Sequence, residues 1–292
     1  MERALATTSI QQSAIEPQAS SDAQLVALWL HGRPASTRTA YARDAAAFLA
    51  FAAKPMGRIT LGDIQAYIDG LDGLAPATRA RRINVVKSLF TFAHRLGYVP
   101  FNVAAPVKPA PVKNTLAERI LTESAVHRML TLETNPRNHA MLRLLYAGGL
   151  RVSEAAGLRW RDLTEREQGG QVTAFGKGGK TRAVVLPQSV WDEIAALRGE
   201  AGPDDAVFRS RKGGNCLAIA QVWLIVKTAA QRAGLGDAVS PHWLRHAHAS
   251  HALDRGAPIH LVQSTLGHAS VATTGRYTHA RPGESSGRYL AV

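Results

Sequence analysis

The chain has 292 residues, 46% of them hydrophobic, with 35 Lys and Arg against 22 Asp and Glu, a formal net charge of +13 and one cysteine. That size allows two domains with real cores, and the charge points to a polyanionic partner, of which nucleic acid is the commonest. The lone Cys216 excludes an internal disulfide and fits the reducing cytoplasm, and no apolar run approaches the roughly 18 residues of a membrane span.

Residues 1–21 lack the long apolar stretch of a secretion signal and read as a flexible arm. From 22 to 98, apolar residues recur at helical spacing through DAQLVALWLHG, STRTAYARDAAAFLAFAA, TLGDIQAYIDGL and PATRARRINVVKSLFTFAHRLG, which predicts an all-helical first domain. Ser36 is placed to cap the second helix and Pro76 to open the fourth, while Gly32, Gly57, Gly73 and Gly97 mark ends. Between residues 22 and 108 there are 11 Lys and Arg against 5 Asp. Arg38 and Arg43 on one helix, and Arg79, Arg81, Arg82 and Lys87 on another, carry much of this excess. A charged face is commonly just a solvated one, but an imbalance of this size favours contact with a phosphate backbone. Residues 99–119, VPFNVAAPVKPAPVKNTLAER, have no period and read as a linker extended by its prolines.

A second domain is expected over 120–292. LTESAVHRMLTLE and RNHAMLRLLYAGG predict helices, the latter ended by Gly148 and Gly149. QVTAF and TRAVVLP predict two strands joined by GKGGK as a hairpin. Four further helical stretches fall at roughly 188–198, 217–233, 241–255 and 258–276. The predicted fold class is mainly α, a helical N-terminal domain followed by a mixed α/β domain that is mostly helical with one small antiparallel sheet.

The Gly-rich segment GKGGKT at 176–181 invites a phosphate-loop reading, but the required earlier glycine is replaced by Ala174, and the following segment is strand-like where a helix is needed. Lys177 and Lys180 fit a basic finger at a hairpin tip better. Arg151 follows the glycine pair where a new helix can begin, a place suited to clamping an anion, and Glu154 at i+3 can hold it. PHWLRHAHASH, residues 241–251, raises the choice between a metal and an anion. His242, Arg245 and His246 share a helical face, with His248 and His251 on another. Zinc needs further Cys, Asp or Glu ligands, Arg245 repels it, and Asp254 lies away from both pairs, so an anion is the better reading and no metal is expected.

LGHASVATTGRYTHA adds His268 and, nine residues on, Tyr277. With these, GLRVSE, GKGGK, HWLRH and LGH stand in an order that resembles the tyrosine recombinase (phage integrase) family, and its Xer-like members in particular. The resemblance spans about 22–292. It implies a helical DNA-clamping domain, then a catalytic domain in which Arg151, Lys177, His242, Arg245, His268 and Tyr277 act, with Glu154 in support. It further implies cleavage of double-stranded DNA through a 3′-phosphotyrosine, strand exchange through a Holliday junction by four protomers, and no cofactor. In those roles Arg151, Arg245 and His268 stabilise the charged transition state, His242 handles the tyrosine proton, and Lys177 protonates the leaving 5′-oxygen. His246, His248 and His251 are left to packing. Alternatives are a type IB topoisomerase-like enzyme without synapsis and a non-catalytic DNA-binding protein of the same fold. The tail HARPGESSGRYLAV, with Tyr289, Leu290 and Val292, is expected to dock weakly on a neighbouring protomer, giving a monomer in solution that assembles on DNA.

Overall fold

In the computed structural model the chain divides into two units, Met1–Lys113 and Asn114–Val292. The described residues are 18–109, 111, 115–176, 179, 181–211, 213–268 and 270–278. Lys177, Lys180 and the tail with Tyr289, Leu290 and Val292 lie outside them.

The first unit is built from α1 (Asp22–Leu30), α2 (Ala35–Ala52), α3 (Leu61–Asp69) and α4 (Pro76–Arg95). Ser21 caps α1 by accepting from the Gln24 amide at 3.2 Å, and Thr60 and Asp63 form a capping box on α3. Ser36 does not cap α2. The cap falls two residues earlier, on Pro34, which carries the preset φ and whose carbonyl already accepts the first helical bond from Arg38, 2.9 Å. Leu25, Phe48, Leu89 and Phe90 fill the core, with Phe48 and Phe90 edge to face at 6.1 Å.

Within 99–119, described residues at either end are packed, each end in its own unit. Val99, Ala104 and Val107 are buried in the first unit and Leu116 and Ile120 in the second, because the apolar residues set among the prolines gain more from burial than from hydration. Ala19, within the segment expected as an arm, is likewise buried against the first core.

The second unit runs α5 (Glu123–Thr131), α6 (Pro136–Ala147), α7 (Val152–Ala156), β1 (Leu163–Arg166), β2 (Gly169–Phe175), β3 (Thr181–Leu186), α8 (Gln188–Ala195), α9 (Ile219–Arg232), α10 (Pro241–Asp254), α11 (Ile259–Leu266) and α12 (Val271–Thr278). The antiparallel sheet has the order β1-β2-β3, with Val172 opposite Leu163 on one side and Val184 on the other. The hairpin is as the sequence predicts. β1, LTER, escapes pattern reading because it is four residues long and mostly exposed. The expected helix over 258–276 is two helices, since Gly267 at φ +62° adopts the left-handed conformation that ends α11. Among the described residues no helix is long and apolar enough to cross a membrane.

Candidate active site

The site forms where the α6–α7 turn, β3, α10 and the α11–α12 turn meet within the second unit. Gly149, at φ +56°, makes the first of these turns, and a Cβ there would lie 2.8 Å from Leu266 Cδ2 and 2.9 Å from His248 Cδ2. Only glycine permits both the turn and this close packing. Arg151 follows as the residue preceding α7. Glu154 Oε2 accepts from the Arg151 backbone amide at 2.7 Å, and Oε1 accepts from the guanidinium at 2.9 Å. Arg151 also donates to the Gly267 carbonyl at 3.3 Å.

Glu154 has a second partner, 28 residues away in the sequence. Arg182 on β3 donates two bonds to its carboxylate, 2.7 and 2.8 Å, and a third from Nε to the Thr265 carbonyl, 2.6 Å. Burial by itself would raise the Glu154 pKa, but the bonds from Arg182 and Arg151 outweigh it and hold the carboxyl at about 2. A signal for Arg182 existed. It has the same parity as the buried Val184 and Leu186, and a charged side chain on the apolar face of a strand needs a buried partner.

Arg245, 5% exposed, reaches from α10 to donate to the carbonyls of Gly149 and Leu266. Burial, then the positive charges of Arg151 and Arg182, bring its pKa down to about 10, so it stays cationic at neutral pH. Among the described residues, Arg151, Arg182 and Arg245 thus crowd around a single carboxylate, Glu154. The arrangement has cations to spare, and an incoming anion relieves their mutual repulsion.

Tyr277, on α12, is 6% exposed. Its hydroxyl lies 2.8 Å from His246 Nδ1, and its ring is parallel to that of His268, with centroids 6.4 Å apart. His268 Nδ1 in turn meets Thr274 Oγ1 at 2.9 Å, and Thr274 is fully buried. Burial raises the Tyr277 pKa while Arg245 and Arg276 oppose the rise. Burial, followed by neighbouring cations, lowers His268 and His246 to about 4, and His242 shifts in the same direction. These imidazoles are neutral at pH 7 in the DNA-free protein.

The histidines sort differently from expectation at one position. His248 Nδ1 meets the Tyr146 carbonyl at 2.8 Å and His251 Nδ1 meets the Tyr146 hydroxyl at 2.9 Å, so both are engaged in packing and polar satisfaction. His246, assigned to packing by its sequence, instead touches the tyrosine hydroxyl. His242, expected there, is exposed and has its ring 6.5 Å from that of His246. One turn of helix separates them, and α12 docks over the second of the pair. No three His, Cys, Asp or Glu side chains among the described residues gather as a metal site.

Comparison with known proteins places this arrangement. Residues 119–284 match the phage integrase family, and residues 27–97 match the phage integrase N-terminal SAM-like domain. The chain belongs to the phage integrase family. It is 34% identical over 230 residues to the tyrosine recombinase XerD of Corynebacterium glutamicum, covering 74% of this chain and 75% of that one. It is 36% identical over 291 residues to the tyrosine recombinase XerC of Rhodospirillum centenum, covering 91% and 84%. A lambda integrase tetramer solved bound to a Holliday junction shares the fold, with a TM-score of 0.73 at 19% identity over 89% of this chain and 78% of that one. Family membership carries DNA cleavage and rejoining through a phosphotyrosine intermediate.

The basic residues of the first unit are less uniform than the sequence implies. Arg38 and Arg43 are exposed on α2. Arg81 instead donates to Asp44, which is 1% exposed, and Arg82 Nε lies 3.9 Å from the same carboxylate. Arg79 pairs with Asp72 at 2.8 Å, and Lys87 donates to the Val107 carbonyl. A buried Asp44 requires countercharge, which takes side chains that helical periodicity alone would leave in solvent.

Proposed function

We propose that this protein is a site-specific DNA recombinase in which Tyr277 attacks the scissile phosphate and Arg151, Arg245 and His268 bind its nonbridging oxygens. The observation that carries the reading is the excess of guanidinium over carboxylate beside a buried tyrosine hydroxyl. A phenol has a pKa of about 10, so only about one in a thousand is ionised at neutral pH and the hydroxyl needs a base and a cationic surround. The Tyr277 O–H bond breaks, a new bond forms from its oxygen to phosphorus, and the P–O5′ bond breaks. Lys177, which lies in the sequence between β2 and β3, supplies the proton to the leaving 5′-oxygen. Guanidiniums that bracket the pentavalent phosphorus supply charge stabilisation of the kind a metal ion gives elsewhere. The 3′-phosphotyrosine conserves the bond energy, so a 5′-hydroxyl from a second duplex can rejoin the strand.

By likeness to the lambda integrase tetramer, four protomers act on two double-stranded sites and exchange strands through a Holliday junction. The exposed Arg38 and Arg43 bind the DNA backbone from the first unit, and Lys180 binds it from the second. A DNA substrate and the lone Cys216 support a cytoplasmic location. The test is a suicide substrate nicked beside the cleavage site, with the covalent adduct read on a denaturing gel. Tyr277→Phe should bind DNA and give no adduct. An adduct formed by that variant overturns the assignment of the nucleophile, and failure of the wild type to join two sites favours a topoisomerase-like activity.

A further inference from the structure

His246 meets the tyrosine hydroxyl directly, and no role in the reaction has yet been given to it. We propose that His246 is the proton acceptor for Tyr277, the base that converts the phenol to the attacking phenolate. The inference rests on Tyr277 being the nucleophile. Its geometric basis is the 2.8 Å separation between His246 Nδ1 and the Tyr277 oxygen, within the range of a direct proton transfer. The other groups around the hydroxyl are less suited. Arg151 and Arg245 have no lone pair to offer, and His268 has its Nδ1 engaged by Thr274 Oγ1. His242 is exposed one helical turn before His246, with the two ring centroids 6.5 Å apart.

The side chain is also in the right protonation state to accept. Burial, then the positive charges of Arg245, Arg119 and Arg276, keep the imidazole neutral at pH 7. With its hydrogen on Nε2, Nδ1 presents a lone pair to the phenol. Tyr277 is buried, so water competes poorly for that hydroxyl. The basicity of His246 should then change when it is needed. A bound phosphodiester brings negative charge among Arg151, Arg182 and Arg245, which removes part of the repulsion that disfavours an imidazolium. In the step itself the phenolic proton moves to Nδ1 as the Tyr277–phosphorus bond forms. On rejoining, the imidazolium returns that proton to the departing phenolate.

A packing role and a base role separate when the phenol is made more acidic. The experiment incorporates a fluorinated tyrosine at position 277, in the wild-type chain and in His246→Gln, and measures single-turnover adduct formation on the suicide substrate. With natural tyrosine, His246→Gln should lose about a hundredfold in cleavage rate, at the lower end of the range for general base catalysis. The fluorinated phenol should restore at least about tenfold of that loss, because part of it is ionised without help. In the wild-type chain, the fluorinated phenol should weaken the dependence of cleavage on pH below neutrality, a readout that needs no variant at position 246. An undiminished rate in His246→Gln, or a loss that the acidic phenol leaves in place together with an unchanged wild-type pH profile, overturns the proposal. Absence of any Tyr277 adduct in the wild type would instead overturn the recombinase mechanism on which the proposal stands.

Discussion

Replacing Arg182 by methionine removes the two bonds that Glu154 receives from β3 and the one that ties β3 to the Thr265 carbonyl, while keeping most of the side-chain volume. The carboxylate stays 3% exposed and keeps only Arg151. Breaking one side of a buried ion pair costs about 3–5 kcal/mol, and the remaining Arg151 bonds put the expected loss near the bottom of that range, roughly 3 kcal/mol. Unfolding by urea reports it well, because Trp160, Trp191, Trp223 and Trp243 all lie in the second unit. Acid provides a second check. The folded pKa of Glu154, about 2, is below the ordinary value of 4.5, so its contribution is present above about 4.5 and is lost as pH falls through about 2. In Arg182→Met the Glu154 pKa moves upward, and the stability gap from the wild type should narrow on acidification. Arg151 also loses its fixed anchor, so cleavage should slow by about ten- to a hundredfold, with DNA affinity nearly unchanged. Equal stability and equal cleavage in the two proteins, or a gap that widens in acid, would refute the role of Arg182 as a positioning residue.

Lys177→Ala should cleave native DNA about a hundredfold more slowly and recover most of its rate on a substrate with a 5′-bridging sulfur, which leaves without a proton; equal impairment on both substrates would assign the lysine to DNA positioning. Excess EDTA should leave the cleavage rate unchanged, and a tenfold loss restored by Mg²⁺ or Zn²⁺ would contradict the guanidinium mechanism. Gly170→Ala should destabilise the second unit by about 1–3 kcal/mol in a urea melt, because its Cβ would fall 1.9 Å from Trp191 Cε3 and β2 and α8 must separate to admit it.

Local features of the sequence determined the fold class and the family's motifs. Apolar periodicity marked the helices and the β2–β3 hairpin, because burial of one face imposes the same spacing wherever a helix or strand packs. The glycine pair before Arg151 and the histidine–arginine face of α10 were legible because each depends on neighbours a few residues away. What needed the tertiary structure was pairing across long separations. Arg182 finds Glu154 across 28 residues and Tyr277 finds His246 across 31, and nothing in helical or strand spacing ranks His246 above His242 for that contact. Burial made the same decision in the first unit. Arg81 and Lys87 look like members of a solvated basic face, yet a carboxylate and a carbonyl of the same unit claim them, because a polar group removed from water must find its partner inside the fold.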